Sequence, residues 1–243
     1  MNKLTKLNLN SAVIKHTIAG LLLALGLLTT GTGRASAFSI KATLTADNNY
    51  GLYYGEADGS GLTFVGRNER GDSHIPDTTL PVPPSPCSGA EWSCPEAWEF
   101  DMDADYIYVV AWDDESIESW IGEFETPEGL LLSNASDWEY TIGGANPGAN
   151  GDLPSLTDVT AEIANGSWAT PRSFGSNGSS LWGTIPDISG SAEFIWSKNA
   201  NNSNYVVFRT AVNTRVPEPS VVFGLLAFGA YGAASQIIKR KRQ

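Results

Sequence analysis

Residues 105–112 read Asp-Tyr-Ile-Tyr-Val-Val-Ala-Trp, and the fold class follows from this stretch. β-Branched and aromatic side chains dominate it, which favours a β-strand. The even-numbered positions from 106 to 110 fall on one face of such a strand, and the odd-numbered positions from 107 to 111 fall on the other. Both faces are apolar, so we expect both to be covered, as in the interior of a β-sandwich.

Similar short apolar alternations recur on both sides of this strand, separated by Gly, Asn, Asp and Pro. Further strands are predicted at residues 38–46, 50–54, 62–65, 120–124, 130–132, 138–142, 192–196 and 205–211. Residues 47–49 have good turn chemistry, residues 199–204 suggest a hairpin loop, and the pattern weakens at residues 155–164 and 175–180. About ten short strands predict an all-β fold, a jelly-roll-type β-sandwich spanning residues 38–215.

The amino-terminal 37 residues have the three-part build of an export signal. Three lysines lie within the first 15 residues, and an apolar stretch follows at residues 18–28. Ala35 and Ala37 place small side chains at the two positions that signal peptidase reads before Phe38. The apolar stretch is too short to span a bilayer comfortably, so residues 1–37 predict a cleaved signal peptide rather than an uncleaved membrane helix.

The carboxyl terminus combines a proline motif, an apolar segment and a basic cluster. The motif consists of Val216, Pro217, Glu218 and Pro219. The apolar segment at residues 221–238 would rise roughly 27 Å as a helix, enough for the hydrocarbon core of a membrane. The basic residues 239–242 favour the cytoplasmic side. Residues 216–243 therefore predict a carboxy-terminal membrane anchor with the domain before it outside the cytoplasm.

The order of these three features resembles the PEP-CTERM sorting signal of Gram-negative bacteria. In that family an exosortase, a membrane cysteine transpeptidase-like enzyme, recognises the tail and cuts near the motif. The resemblance implies processing near residues 216–219, which are substrate residues and not catalytic ones. It also implies an association with extracellular polysaccharide or biofilm matrix. The alternative from the residues alone is a permanent single-pass anchor.

The region between the two ends is strongly acidic. It holds 26 acidic and seven basic side chains, a net charge of −19. Such a surface argues against nucleic acid and anionic lipid as partners. It is compatible with solubility outside the cell, with divalent cations and with neutral sugars.

Cys87 and Cys94 are the only cysteines, and both lie in the exported region. A disulfide between them is the default in an oxidising compartment, and the chain-entropy model gives it roughly 2–3 kcal/mol of stabilisation. A zinc site is disfavoured because the region holds a single histidine, His74, at a distance in sequence.

Asp101, Asp103 and Asp105 form an Asp-x-Asp-x-Asp pattern, which opens many calcium loops. An EF-hand would need Gly at position 106 and Glu at position 112, where Tyr and Trp stand instead. Two alternatives remain: a solvated strand edge and a calcium site of another kind.

The eight tryptophans offer a second kind of site, since exposed indoles stack on sugar rings while buried ones fill cores. Trp112 and Trp196 fall within predicted strands, where we expect core positions. The indoles near predicted loops, and therefore candidates for carbohydrate binding, are Trp92, Trp98, Trp168 and Trp182.

Residues 45–53 (Thr-Ala-Asp-Asn-Asn-Tyr-Gly-Leu-Tyr) and 106–114 (Tyr-Ile-Tyr-Val-Val-Ala-Trp-Asp-Asp) are similar to two segments of galactose-binding-like jelly rolls. Those modules commonly bind carbohydrate, often with a structural Ca²⁺. The resemblance implies the same fold here, with calcium as the one cofactor it suggests.

The usual catalytic motifs are scarce. The exported region has one histidine and no Gly-x-Ser-x-Gly motif, and nothing selects one pair among its carboxylates for glycoside hydrolysis. The sequence therefore predicts a non-catalytic exported surface or matrix protein that binds carbohydrate. The alternatives are a calcium-stabilised structural envelope protein and, last, a polysaccharide hydrolase.

Overall fold

A computed structural model describes residues 37–68, 94–113, 118–148, 153–179, 181–199 and 203–212. These residues form two antiparallel sheets and one helix. The elements are β1 (Phe38–Asp47), β2 (Asn49–Gly55), β3 (Thr63–Arg67), β4 (Glu96–Met102), β5 (Tyr106–Trp112), β6 (Ser119–Thr126), β7 (Gly129–Leu132), β8 (Glu139–Ala145), α1 (Leu156–Asn165), β9 (Arg172–Ser176), β10 (Glu193–Trp196) and β11 (Asn204–Ala211).

The chain passes repeatedly between the two sheets. The first sheet has the order β4-β1-β6-β10-β9, with β7 also paired to β6, and the second has the order β3-β2-β5-β11-β8. Only the links β2–β3, β6–β7 and β9–β10 join partners within one sheet. The all-β sandwich expected from the sequence is therefore confirmed for the described residues.

The interior between the sheets is filled by aliphatic and aromatic side chains from both. Trp120 of the first sheet lies edge-on to Trp138, with ring centroids 4.6 Å apart, and to Phe208 of the second sheet at 5.6 Å. These T-shaped contacts add to the free energy gained by burying the rings. The Trp120–Phe208 contact joins the two sheets directly.

Strand β5 has the two covered faces that its sequence predicts. Ile107, Val109 and Ala111 belong to the interior between the sheets. Tyr108 and Val110 belong to a second apolar cluster on the outer face, which α1 covers with Val159 and Ile163. The outer face is therefore buried by a helix rather than by a third sheet.

The structure corrects one predicted feature of the chain's path. β10 and β11 belong to different sheets, so residues 199–204 do not close a hairpin. At residues 47–49, where turn chemistry was predicted between two strands, β1 ends at Asp47, β2 begins at Asn49, and the chain changes sheet. A local turn pattern does not show whether the strands on either side pair, since pairing depends on distant partners.

The sequence analysis predicted neither strand β4 nor helix α1. β4 alternates exposed Ala97, Glu99 and Asp101 with inward-facing side chains, so its period of two is present but is masked by the acidic residues. α1 buries two side chains four residues apart, and the Ser155 hydroxyl caps it by accepting from the Asp158 N–H at 3.1 Å. Four threonine, valine and isoleucine residues in ten weaken its intrinsic helix propensity, so tertiary packing stabilises it.

Candidate functional site

Two of the tryptophans predicted to bind sugar are buried. Trp98 lies in β4, is 8% exposed, and donates its indole N–H to the Tyr50 hydroxyl at 2.8 Å. Trp182 is 7% exposed and donates to the Asp47 carboxylate at 2.9 Å. This corrects the expectation that these rings are exposed, and neither offers a free face to a ligand. Trp112 and Trp196 are core residues, as predicted.

Trp168 is the candidate that remains at the surface within the described part of the chain; Trp92 lies outside it. Trp168 is partly exposed and follows α1. The Arg209 guanidinium carbon lies 3.6 Å from the centre of its ring and 5.1 Å from that of Tyr106. Such contacts between a cation and an aromatic face contribute about 0.5–2 kcal/mol. The Arg209 guanidinium therefore covers one face of the Trp168 indole.

The guanidinium is itself held on the sheet by two further contacts. Its Nε donates to Oε1 of Glu139 at 2.7 Å, and its Nη1 donates to the carbonyl of Ala57 at 2.7 Å. The Arg209 side chain is 13% exposed, whereas that of Glu139 is 41% exposed. We call the group formed by Trp168, Arg209, Tyr106 and Glu139 the Trp168 platform.

Strand register explains why these residues meet. Arg209 of β11 lies opposite Tyr108 of β5 on one side and Glu139 of β8 on the other, so all three point to the outer face of the second sheet. The segment after α1 is fastened to β8 by two hydrogen bonds between the backbones of Tyr140 and Ala169, at 2.8 and 2.9 Å. This bridge places the preceding residue, Trp168, above the sheet.

The electrostatic environment of the platform is negative. The pKa of Glu56 is raised by its burial and by the carboxylates of Asp105, Asp58 and Asp103, in that order. Burial raises the pKa of Tyr108 to about 12, and the nearby Arg209 opposes part of that rise. The Tyr108 hydroxyl stays protonated at neutral pH and donates to the carbonyl of Glu56 at 2.5 Å. Arg209 is thus a partly buried cation, and its partner carbonyl belongs to Ala57, which lies between Glu56 and Asp58.

The predicted calcium ligands are separated by the end of a strand. Asp101 is in β4, whereas Asp103 and Asp105 lie in the connection to β5, and all three are exposed. The three aspartates do not share one strand, because β4 ends at Met102. Among the described residues, no group of three His, Cys, Asp or Glu side chains is placed to hold a metal ion.

Cys94 is disulfide-bonded and buried at the start of the segment leading into β4. Its predicted partner, Cys87, lies outside the described residues. Of the predicted signal-peptidase residues, Ala35 lies outside them as well, Ala37 is the first residue described, and Phe38 opens β1.

The predicted sorting motif at residues 216–219 and the apolar segment at 221–238 also lie outside the described residues. Within the part that the structure describes, none of the helices has the length and apolar character needed to cross a bilayer.

A shallow crevice lies on the outer face of the first sheet. Thr45, Asp47, Ser119, Trp182 and Phe194 contribute to its walls. It has no room for a water molecule, so it is not a ligand-sized pocket.

Sequence reasoning missed Arg209, Tyr106 and Glu139 as partners of Trp168. One signal was present. Arg209 interrupts the apolar run of β11, and a charge on a covered strand face needs a partner. The partner could not be named from the sequence, because Trp168 is 41 positions away and reaches the strand through the β8 bridge.

No family model, no curated protein and no solved structure matches this chain.

Proposed function

We propose that this chain is a non-catalytic exported protein of the cell surface or extracellular matrix, sorted by an exosortase-type enzyme and binding carbohydrate through the Trp168 platform. The carbohydrate part rests on one observation, the 3.6 Å contact by which Arg209 fixes a surface indole. An aromatic ring held before the ligand arrives loses little conformational freedom on binding, which improves affinity.

The sorting part rests on the order of the tail: the proline motif, the apolar segment and the basic cluster. Signal peptidase would remove the other end, and the disulfide at Cys94 is consistent with an oxidising compartment outside the cytoplasm. In this scheme the carboxy-terminal helix holds the protein in the inner membrane until the tail is processed.

Replacement of both motif prolines by alanine should block processing. We expect the Pro217→Ala/Pro219→Ala chain, in a Gram-negative host that has an exosortase, to stay full-length in the inner membrane, while the unaltered chain loses its tail. Immunoblotting of membrane, surface and medium fractions measures this, and Ser220→Ala is the control just outside the motif. A wild-type chain that also remains full-length would show a permanent single-pass anchor instead.

Loss of the indole should abolish most carbohydrate binding. We expect Trp168→Ala to weaken binding of the best glycan at least tenfold, or about 1.4 kcal/mol, because the stacking surface is removed. A glycan array followed by calorimetric titration measures the change. Trp168→Phe, which keeps an aromatic face, should retain part of the affinity.

A blank glycan array with the wild-type chain would remove the carbohydrate part. The structural alternative, a calcium-stabilised envelope protein, would then be favoured if Ca²⁺ raised the melting temperature and a chelator reversed it. Asp101, Asp103 and Asp105 are the residues to replace in that case.

We further propose that the sandwich is of the jelly-roll type. The support comes from the similarity of residues 45–53 and 106–114 to galactose-binding-like modules and from the frequency with which successive strands change sheet.

A further inference from the structure

The chain enters and leaves the sandwich at the same end. Phe38, the first residue of β1, lies opposite Met102, the last residue of β4. Ala211, the last residue of β11, lies opposite Tyr106, the first residue of β5. Residues 103–105 join Met102 directly to Tyr106, so these ends of the two sheets lie side by side. The segments that we expect to be cut during export and sorting therefore both attach to this end of the domain.

The point where the chain leaves the sandwich is fastened to this end. The Val212 N–H donates to the Asp105 carbonyl at 2.8 Å. The predicted sorting motif begins only four residues later, at Val216. An extended chain spans at most about 3.6 Å per residue, so Val216 lies within about 14 Å of Val212 whatever path the chain takes.

An enzyme that cuts at the motif must therefore meet the sandwich. A compact domain of about 100 residues already has a radius of gyration of about 13 Å, which is close to the full reach of this link. A cleft that encloses residues 216–219 belongs to a body too wide to stay clear of Val212 and its neighbours. The surface around the exit point is consequently part of what the enzyme contacts.

This surface carries five exposed acidic side chains. Gly55 at the end of β2 lies opposite Tyr106, which places the turn at residues 56–58 at the same end of the sandwich. The Ala57 carbonyl fixes this turn by accepting from Nη1 of Arg209 at 2.7 Å. The five side chains, whose surface we call the base of the sandwich, are Glu56, Asp58, Asp101, Asp103 and Asp105.

The basic side chains in the described part of the chain are placed elsewhere. Arg67 pairs near the start of β2, Arg172 pairs with the end of β10, and Lys198 follows β10, so these three lie at the opposite end. Lys41 has a glutamate opposite it on each neighbouring strand, and Arg209 belongs to the ion pair with Glu139. The charge of the described sandwich is therefore unevenly distributed along its strands, and the base is acidic.

Building on the sorting part of the function proposed above, we propose that the base of the sandwich is the docking surface for the exosortase-type enzyme, and that the enzyme meets it with a positively charged rim. Opposite charges at such a contact speed association and fix the orientation of the two partners. A rim of the same sign would be repelled at a separation that the short link prevents it from increasing. The folded domain thus takes part in its own processing, together with the motif.

Removal of two charges from the base should slow processing. We expect Asp101→Asn/Asp103→Asn to lose its tail at least threefold more slowly than the unaltered chain, in a Gram-negative host that has an exosortase. Pulse-chase labelling with immunoprecipitation measures the half-time. Glu118→Gln/Asn199→Lys is the matched control, because it changes the net charge by the same amount at the opposite end of the sandwich. Its half-time should stay within 1.5-fold of that of the unaltered chain.

A longer link between the sandwich and the motif should remove this effect. An insert of about twelve Gly and Ser residues after Asn213 adds a root-mean-square length of about 20 Å. The enzyme can then enclose the motif without touching the base. We therefore expect lengthened chains with and without Asp101→Asn/Asp103→Asn to be processed at the same rate, within 1.5-fold.

Equal half-times with the natural link would overturn the docking surface, and faster processing of the neutralised chain would overturn the positive rim. A defect that persists in the lengthened chain would also overturn the proposal, since it would arise from export or folding instead. If the first double variant melts at a lower temperature than the unaltered domain, Glu56→Gln/Asp103→Asn takes its place. An unaltered chain that never loses its tail would remove the sorting function itself, and this inference with it.

Discussion

Gly66→Ala should lower the free energy of unfolding by about 3 kcal/mol, at the upper end of the cost of overpacking a core. A methyl group at Gly66 would lie 2.1 Å from two carbon atoms of the Trp98 ring. The ring cannot move aside freely, because its N–H is bonded to the Tyr50 hydroxyl at 2.8 Å. Urea unfolding measures the change in the free energy of unfolding. Thermal unfolding should show a fall in Tm of roughly 6–12 °C for a domain of this size.

Gly190→Ala is the matched control for this substitution. A methyl group there would meet no heavy atom within 4 Å, and we expect a change within about 0.5 kcal/mol. The double variant Gly66→Ala/Trp98→Phe should be less destabilised than the sum of its single variants, because the smaller ring relieves the clash. Additive effects would show that contact with Trp98 is not the cause.

Alkaline pH should unfold the protein through its buried tyrosines. Burial and the neighbouring Glu96 carboxylate raise the pKa of Tyr50 well above 10, and burial raises the pKa of Tyr53, against the opposing charge of Arg67. In the unfolded chain both titrate near 10. Between that value and the raised folded pKa the unfolded state binds fewer protons, so stability falls as pH rises. Well below pH 10 both tyrosines are protonated in the folded and the unfolded states, so they add no pH dependence to the free energy of unfolding.

The expected slope above pH 10 is about 1.4 kcal/mol per pH unit for each tyrosine. Urea unfolding at pH 8, 9.5, 10.5 and 11.5 measures it, and tyrosinate absorbance follows the titration itself. Tyr50→Phe should be less stable at pH 8, because the Trp98 N–H loses its acceptor and Glu96 loses a donor. Its slope should nevertheless be shallower. A free energy of unfolding that stays level up to pH 11.5 would contradict the buried state of these hydroxyls.

The candidate site was predictable only in part. Trp168 was selected because it lies near predicted loops, and the weakly patterned segment before it proved to be a helix lying on the second sheet. The same reasoning selected Trp98 and Trp182, which are buried. An indole near a loop in sequence can still point inward, because exposure depends on what the rest of the chain packs against it. Nothing local distinguishes the three.

Strand identity could be read from local alternation, as β5 shows. Its odd positions from 107 to 111 face the interior, and its even positions from 108 to 112 belong to the outer apolar cluster that also contains Val159 and Ile163 of α1. The export and sorting expectations also follow from local charge, length and motif order. Strand partnership could not be read in this way.

The hairpin predicted at residues 199–204 proved to be a change of sheet, and Arg209 meets Trp168 only because β8, β11 and β5 lie side by side. Side-chain alternation depends on one strand and its two faces, whereas pairing depends on burying the faces of both sheets at once. The residues that form the proposed carbohydrate platform therefore came together only in the folded chain.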